Sequence, residues 1–146
     1  MTRPSIPQVM MVIAEAVACR ATCARRSVGA VITTADNRIL STGYNGTHSG
    51  QTHCTDQPCA GAEMPSGTGL DSCAAVHAEQ NALVNSTDTA RAHNIYVTTM
   101  PCVSCTKLLL NTPIQHIYFR ESYPQAEQSL RLWLQTAERT CTLVEE

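Results

Sequence analysis

Aromatic side chains are scarce in this chain of 146 residues, which contains one Trp, one Phe and four Tyr. Positive charge is also limited, because ten Lys and Arg residues are mixed among twelve Asp and Glu residues, for a net charge of −2. A groove that follows a nucleic-acid strand usually needs a basic stripe and aromatic rings on which bases stack. The composition therefore argues against a nucleic-acid polymer as partner and favours a small ligand.

Long apolar runs are missing as well, and none approaches the roughly 20 residues of a membrane-spanning helix. The N-terminal stretch has apolar residues at helical spacing and no clear cleavage site, which predicts an amphipathic helix rather than a signal peptide. We therefore expect a cytoplasmic protein without membrane association. Since no repeat or linker is visible, residues 1–146 are predicted to form a single domain.

Runs of β-branched and aromatic residues predict five strands, and periodic apolar residues predict four helices. The predicted helices cover 6–20, 75–86, 101–111 and 124–138, and the predicted strands cover 28–33, 38–44, 94–99, 115–119 and 141–144. A short turn joins the first two strands, and helices separate the later ones. This order predicts an α/β fold in which a mixed five-stranded sheet, an antiparallel hairpin followed by β-α-β crossovers, carries helices on both faces.

Cysteine, by contrast, is abundant, with eight residues in the chain. The domain is too large to need a disulfide framework and shows no secretory segment, so this number of cysteines favours metal binding. Cys19 and Cys141 have the character of ordinary small buried residues. The other six form two groups that are candidates for metal binding.

The first group is in the stretch MPCVSCTK at residues 100–107, where Cys102 and Cys105 are predicted to open a helix. Three residues apart on a helix, the two sulfurs point in nearly the same direction. A helix N-terminus lowers thiol pKa values, which suits a metal and a redox pair equally well. The motif alone leaves three interpretations: a thioredoxin-like dithiol, a structural zinc knuckle or a catalytic zinc site.

The stretch AVHAEQ at residues 75–80 favours the catalytic interpretation. His77 with two cysteines makes three protein ligands, and a fourth tetrahedral position left to water is typical of catalytic zinc. His77 and Glu79 would lie about 200° apart around the axis of a helix. In the first turn of a helix, however, both side chains can reach one pocket at its N-terminal end. Glu79 is then predicted to take a proton from the zinc-activated water and to pass it to the substrate.

These motifs resemble those of a known enzyme family. HAEQNAL and TTMPCVSCTKLL resemble the HxE and PCxxC motifs of the zinc-dependent cytidine deaminase superfamily. RRSVGAVIT, RILSTGYNG and HIYFRESYP resemble the deoxycytidylate deaminases in order and spacing, over roughly residues 5–144. The resemblance implies a three-layer α-β-α fold, a zinc held by His77, Cys102 and Cys105, and Glu79 as proton shuttle. In that family zinc hydroxide attacks cytosine C4 of dCMP, which releases ammonia and yields dUMP, the precursor of thymidylate.

The resemblance also implies substrate contacts: a pocket wall at Val28, Gly29 and Ala30, the Ala78 N–H for the pyrimidine carbonyl, Asn45 for the sugar and Tyr123 beside the nucleotide. The residues themselves leave alternatives, since Asn45 also suits a turn beside Gly46 and Tyr123 also suits the core. Arg25 and Arg26 have the chemistry to bind a phosphate. Two adjacent arginines usually lie on a solvated surface, so we expect only one of the pair, Arg26, to bind the phosphate.

The second group of cysteines belongs to an irregular stretch of about 45–73, which is too long to lack structure in a compact domain unless something orders it. The stretch contains three thiols and a histidine, and Cys23 precedes the first predicted strand; together they predict a closed, structural second zinc site whose binding energy replaces an apolar core. Some deoxycytidylate deaminases carry an additional zinc in this insert, with a ligand matching Cys23. The predicted ligands are Cys23, Cys54, Cys59 and Cys73, with His53 as the substitute for one thiol.

For quaternary structure and regulation, the expectations come only from the resemblance to this family. Family members are commonly homo-oligomers, often hexamers, that dCTP with magnesium activates and dTTP inhibits. Their regulatory nucleotide binds near the GYNG loop and a following pair of acidic residues. Here the stretch THSGQTHCTD offers only Asp56, so we expect regulation to differ.

Other interpretations stay open at this point. Within the deaminases, the substrate could be dCTP, a modified dCMP, guanine or an adenosine in tRNA. The missing basic patch argues against tRNA, and so does Met100, which stands where tRNA adenosine deaminases often carry Glu. Outside the deaminases, the chain could be a non-catalytic, zinc-scaffolded binding module or a redox protein that cycles the Cys102 and Cys105 thiols to a disulfide.

Overall fold

The computed structural model describes residues 2–65, 74–136 and 138–146. Within them the chain forms four α-helices, seven strands and one 3₁₀ turn at Thr89–Arg91. The helices are α1 (Ile6–Ala18), α2 (Ala78–Asn85), α3 (Val103–Leu110) and α4 (Ala126–Leu134). The strands are β1 (Gly29–Thr33), β2 (Ile39–Tyr44), β3 (Gly46–Thr47), β4 (Ala75–Val76), β5 (Asn94–Thr99), β6 (His116–Glu121) and β7 (Thr140–Leu143).

Five strands form one mixed sheet in the order β2-β1-β5-β6-β7. Strand β1 is antiparallel to both β2 and β5, whereas β5, β6 and β7 run parallel through helical crossovers. This arrangement confirms the predicted hairpin followed by β-α-β units. The two-residue strands β3 and β4 pair separately, with Gly46 opposite Val76, and this second ladder was not predicted.

Helices cover both faces of the sheet, which confirms the predicted three-layer architecture. Ala30 and Ile32 of β1 join a core cluster with residues of α2, α3 and α4, including Ala82 and Trp133. Val31 points to the other face, where it packs with α1. All five residues of β1 are buried, as expected for a central strand that is covered on both sides.

Backbones approach each other closely where α2 crosses β2. A Cβ atom on Gly43 would lie 2.3 Å from the carbonyl oxygen of Ala78 and 2.4 Å from the nitrogen of Ala82. Ser41 adds a hydrogen bond, because its hydroxyl donates to the carbonyl oxygen of Ala82 at 2.7 Å. The absence of a side chain at Gly43 therefore fixes how close the first turn of α2 lies to the sheet.

Three predictions about local structure need correction. Helix α2 begins at Ala78 rather than 75, because residues 75 and 76 pair with β3 instead. Helix α4 ends at Leu134 rather than 138. Cys19, predicted to be buried, is exposed at the end of α1, where its thiol donates to the carbonyl oxygen of Glu15. Of the described helices, none has the length and apolar character needed to cross a bilayer.

Candidate metal centre

His77 occupies the position just ahead of helix α2, directly after the short strand β4. Its backbone is extended, with φ −74° and ψ 156°, and its N–H donates to Oε1 of Gln80 at 2.8 Å. Ala78 and Glu79 are the first two helical residues. His77 therefore precedes the first turn rather than lying in it, and this allows its ring and the Glu79 carboxyl group to approach one cavity.

The cysteine pair is arranged in the same way at the start of helix α3, which follows strand β5. Cys102 precedes the helix, with an extended backbone, and Cys105 is a buried residue of the first turn. The hydroxyl of Thr106 donates to the carbonyl oxygen of Cys102 at 2.8 Å, which holds the turn. Since the first N–H groups of a helix lack partners, this end of α3 favours negatively charged sulfur.

The two helix starts bring three ligand atoms together. Nδ1 of His77 lies 3.5 Å from Sγ of Cys102 and 3.3 Å from Sγ of Cys105. With usual Zn–S and Zn–N bond lengths, ligand atoms around a tetrahedral zinc lie about 3.6 Å apart. The donor set and its spacing thus fit zinc. Among the described residues, these three are the one group of His, Cys, Asp or Glu with the spacing of a metal site.

The charges of this cluster depend on one another. A hydrogen bond with Cys105 is the main cause that lowers the pKa of Cys102 to about 4, and the same bond together with burial raises the pKa of Cys105. The hydrogen bond with Cys102 raises the pKa of His77. Glu79 is 4% exposed, and burial raises the pKa of its carboxyl group. The cluster therefore holds protons that a bound cation would displace.

A cavity opens over the cluster and brings most of the predicted site residues together. Besides His77, Glu79 and Cys102, its wall includes five residues predicted to contact substrate: Arg26, Val28, Asn45, Ala78 and Tyr123. Gly29 and Ala30, predicted as wall residues, are not part of the lining. Gly29 faces α1, since a Cβ atom there would meet the carbonyl oxygen of Ala14, and Ala30 is fully buried in the core.

The cavity has further wall residues that the sequence analysis did not assign to it. Thr99 and Met100 line it from the end of strand β5, and Ala75, Cys23 and Arg25 line it from other segments. A signal existed for Thr99 and Met100, because they directly precede the cysteine motif at the carboxyl end of a strand. Cys23 is predicted only as a ligand of the second zinc, and Arg25 shares the phosphate-binding chemistry of Arg26 but is not the arginine expected to contribute. Neither lies next to the HxE or PCxxC motif in sequence.

Asn45 has a structural task in the cavity wall. Its Oδ1 accepts a hydrogen bond from the Val28 N–H at 2.8 Å, and its Nδ2 donates to the carbonyl oxygen of Arg26 at 3.0 Å. The residue is buried, with 6% of its surface exposed. Because an amide nitrogen carries two hydrogens, one remains available for a ligand.

Tyr123 connects the wall to the metal-ligand loop. Its hydroxyl donates to the carbonyl oxygen of Pro101 at 3.2 Å, one residue before Cys102. The guanidinium of Arg26 lies over its ring, 5.6 Å from the centroid, at a distance typical of a cation–π contact. None of the described carboxylates forms an ion pair with Arg26, so no ion pair neutralises its positive charge at the cavity wall.

The residues predicted for a second zinc are described only in part, because Cys73 lies outside the described residues. Cys54 is buried, and its Sγ accepts a hydrogen bond from the Cys59 N–H at 3.4 Å. Cys23 is buried at the wall of the cavity over the His77, Cys102 and Cys105 cluster. His53 is exposed and lines a different cavity.

That second cavity, of about 360 Å³, lies beside the loop that follows β2. Three basic side chains line it, Arg20, His48 and His53, together with hydroxyl and amide groups such as that of Asn81. No carboxylate is found among its described lining residues. Since magnesium prefers carboxylate and phosphate oxygens, these residues do not by themselves fit a magnesium site.

Comparison with known proteins identifies the family. The family model for the cytidine and deoxycytidylate deaminase zinc-binding region matches residues 4–121. The chain belongs to this family. It is 35% identical over 125 residues to a deoxycytidylate deaminase of Schizosaccharomyces pombe, with 83% of the chain covered. It is 37% identical over 127 residues to a deoxycytidylate deaminase of Mycobacterium phage D29, covering 82% of this chain and 97% of that one.

Solved structures extend the likeness to the whole fold. The dCMP deaminase of cyanophage S-TIM5, crystallised with dCMP and dUMP, superposes with a TM-score of 0.75 at 26% identity. The superposition covers 98% of this chain and 100% of the phage chain. The fission yeast relative is longer, and the chain spans 38% of its length. The family and the fold are thus established, whereas substrate and activity are inferred for this chain.

Proposed function

We propose that this protein catalyses the hydrolytic deamination of dCMP, converting dCMP and water to dUMP and ammonia and so feeding thymidylate synthesis. The observation that carries the proposal is that His77 Nδ1 lies close to the sulfurs of Cys102 and Cys105, at a cavity that the buried Glu79 also lines. Relatives named deoxycytidylate deaminase, one at nearly full length, support the choice of substrate.

The proposed division of labour assigns the metal to His77, Cys102 and Cys105. A zinc ion there would activate water for attack on the cytosine ring. Glu79 would accept one proton of that water and deliver it to the ring nitrogen, and would then take the second proton from the attacking oxygen and deliver it to the departing ammonia. Its burial supports this role, because a carboxyl group with a raised pKa can hold the proton between the two steps.

Substrate recognition is proposed for the wall residues. The N–H of Ala78, the first residue of α2, has no intrahelical acceptor and would bind the pyrimidine carbonyl. Val28 and Tyr123 would flank the nucleotide, and the second Nδ2 hydrogen of Asn45 would reach the sugar. Arg26 would bind the phosphate, since its charge is held at the cavity by the Tyr123 ring.

A substrate panel tests the proposal. Ammonia release should be measured at fixed zinc concentration with dCMP, dCTP, 5-methyl-dCMP, cytidine, cytosine, guanine and a tRNA anticodon stem. We expect dCMP to give the highest kcat/KM. Turnover confined to guanine or to the tRNA stem would contradict the assignment, and the absence of turnover with every compound would favour a zinc-scaffolded binding module.

We also propose a second, structural zinc in the cysteine-rich region, bound by Cys23, Cys54, Cys59 and Cys73, with His53 as the substitute. The burial of Cys54 and the N–H donated to its sulfur support a thiolate there, because metal-bound sulfur commonly accepts such bonds. Zinc thiolates persist in reducing compartments, so we place the protein in the cytoplasm. The whole chain would act as a single domain.

Association into homo-oligomers, with a hexamer favoured, is part of the proposal. Val84 is 80% exposed and Leu108 43% exposed, so the surface offers apolar side chains that a further subunit could cover. The basic cavity near His48 suits the phosphates of dCTP or dTTP as regulators, and magnesium would enter with the dCTP phosphates rather than through protein carboxylates. Sedimentation at the mass of one chain, unchanged by either nucleotide, would contradict both points.

A further inference from the structure

Arg25 and Arg26 both line the catalytic cavity, but their guanidinium groups have different partners. Nη1 of Arg25 donates to the carbonyl oxygens of Met64 and Pro65, at 3.3 and 3.2 Å. Arg26 instead lies over the Tyr123 ring. Both carbonyl groups belong to residues 51–65, which we call the cysteine-rich segment. Arg25 thus joins two parts of the chain about forty residues apart in sequence.

A second connection reaches the same segment from the same part of the wall. The N–H of Thr55 donates to the carbonyl oxygen of Thr22 at 3.1 Å, and the N–H of Thr22 donates to that of Asn45 at 3.0 Å. Residues 22–25 therefore lie between the loop that carries Asn45 and the cysteine-rich segment. Cys23, buried between Thr22 and Arg25, is itself part of the cavity wall.

The cysteine-rich segment depends on few contacts. It contains turns but no helix or strand, and most of its side chains are exposed, with Cys54 and Gly61 as its buried residues. A segment with little buried apolar surface opens locally at low free energy. Hydrogen bonds from a charged donor are stronger than those between neutral groups. The two bonds from the Arg25 guanidinium therefore contribute substantially to the placement of the cysteine-rich segment.

We propose that Arg25 is a positioning residue, which holds the cysteine-rich segment against the cavity wall, and that phosphate recognition falls to Arg26. The Arg25 guanidinium already donates to two carbonyl groups, and a phosphate would have to compete for it. Arg26 has a ring contact that fixes its direction without using its N–H groups. The catalytic part of this inference rests on the proposed function, whereas the positioning part does not.

Hydrogen exchange of the zinc-loaded protein tests the positioning role without any substrate. The amides of Ala62 and Met64, which donate to the carbonyl oxygens of Cys59 and Gly61, report on the segment. In Arg25→Gln we expect their exchange to be roughly tenfold faster, and in Arg25→Lys less than that. Arg26→Gln is the matched control and should leave the exchange rates of these two amides unchanged. Unchanged exchange in Arg25→Gln would overturn the proposal.

Kinetics with and without the substrate's phosphate separate the two arginines. Arg25→Gln should lower kcat/KM for dCMP and for deoxycytidine by the same factor, with partial recovery in Arg25→Lys. Arg26→Gln should lower kcat/KM for dCMP alone, by roughly 10- to 100-fold, through a higher KM. A selective loss for dCMP in Arg25→Gln would assign the phosphate to Arg25. If the unmodified enzyme deaminates neither compound, the proposed function fails, while the exchange result still decides the positioning role.

Discussion

At the scale of single residues, Glu79 stands out because it is the one buried charged residue in the described part of the chain. A carboxyl group that is almost fully buried costs stability unless a partner or a function retains it. Glu79 lies two residues from His77, a proposed metal ligand, and lines the cavity rather than the core. Its position thus indicates chemistry rather than packing.

Replacement of Glu79 by Gln should separate catalysis from metal binding. The amide has nearly the same shape, so we expect zinc content and thermal stability close to those of the unmodified protein. Deamination of dCMP should fall by roughly 10²- to 10⁴-fold, because the amide cannot accept and return a proton. Metal analysis, a melting curve and an ammonia assay on one preparation measure all three properties.

Glu127→Gln is the matched control for that experiment. Glu127 lies on the exposed side of α4, paired with Arg131 at 2.9 Å, and such surface pairs contribute little stability. It should retain full activity. If Glu79→Gln were as active as the control, Glu79 would not be the proton shuttle.

At the scale of secondary structure elements, the site depends on where two short helices begin. Helices α2 and α3 each have eight residues, and a proposed metal ligand directly precedes each of them. Both helix N-termini face the same cluster, so their dipoles favour thiolate and carboxylate charge there. The spacing of the ligands is therefore set by how α2 and α3 lie against the sheet.

Two glycine substitutions test this dependence. Gly43→Ala should push the first turn of α2 away from β2, because the new Cβ atom would overlap the carbonyl oxygen of Ala78. We expect a loss of about 1–3 kcal/mol in stability and weaker zinc binding, measured by unfolding and by competition with a chelator.

Gly29→Ala is the matched comparison, since its Cβ atom would meet the carbonyl oxygen of Ala14 in α1, on the opposite face of the sheet. It should lower stability to a similar or greater extent and leave zinc affinity unchanged in the folded fraction. Equal effects of both variants on zinc affinity would show that ligand spacing reflects global stability rather than the placement of α2.

At the scale of the whole molecule, the fold was largely predictable because each of the five strands of the main sheet is a distinct run of β-branched and aromatic residues between polar breaks. The three ligands and Glu79 were predictable because each pair lies within one short motif. Cavity residues such as Cys23 and Arg25 were not, since they reach the wall through a loop whose path depends on distant hydrogen bonds. Helix ends also differed where pairing with β3 competed with helix formation.

The whole chain should bind two zinc ions, and their removal should lower its stability, because metal binding to the folded state is part of the folding free energy. Cys105→Ser should lose one ion together with activity. Cys54→Ser should lose the other and melt about 5–10 °C lower, with the catalytic ion retained. Cys19→Ser, at an exposed thiol outside both groups, is the matched control and should keep both ions.

Elemental analysis and melting curves measure these properties, and a single zinc in the unmodified chain would refute the structural site. If Cys54→Ser lost both ions, the cysteine-rich segment would instead support the catalytic cluster, which its connection to the cavity wall through Arg25 would explain.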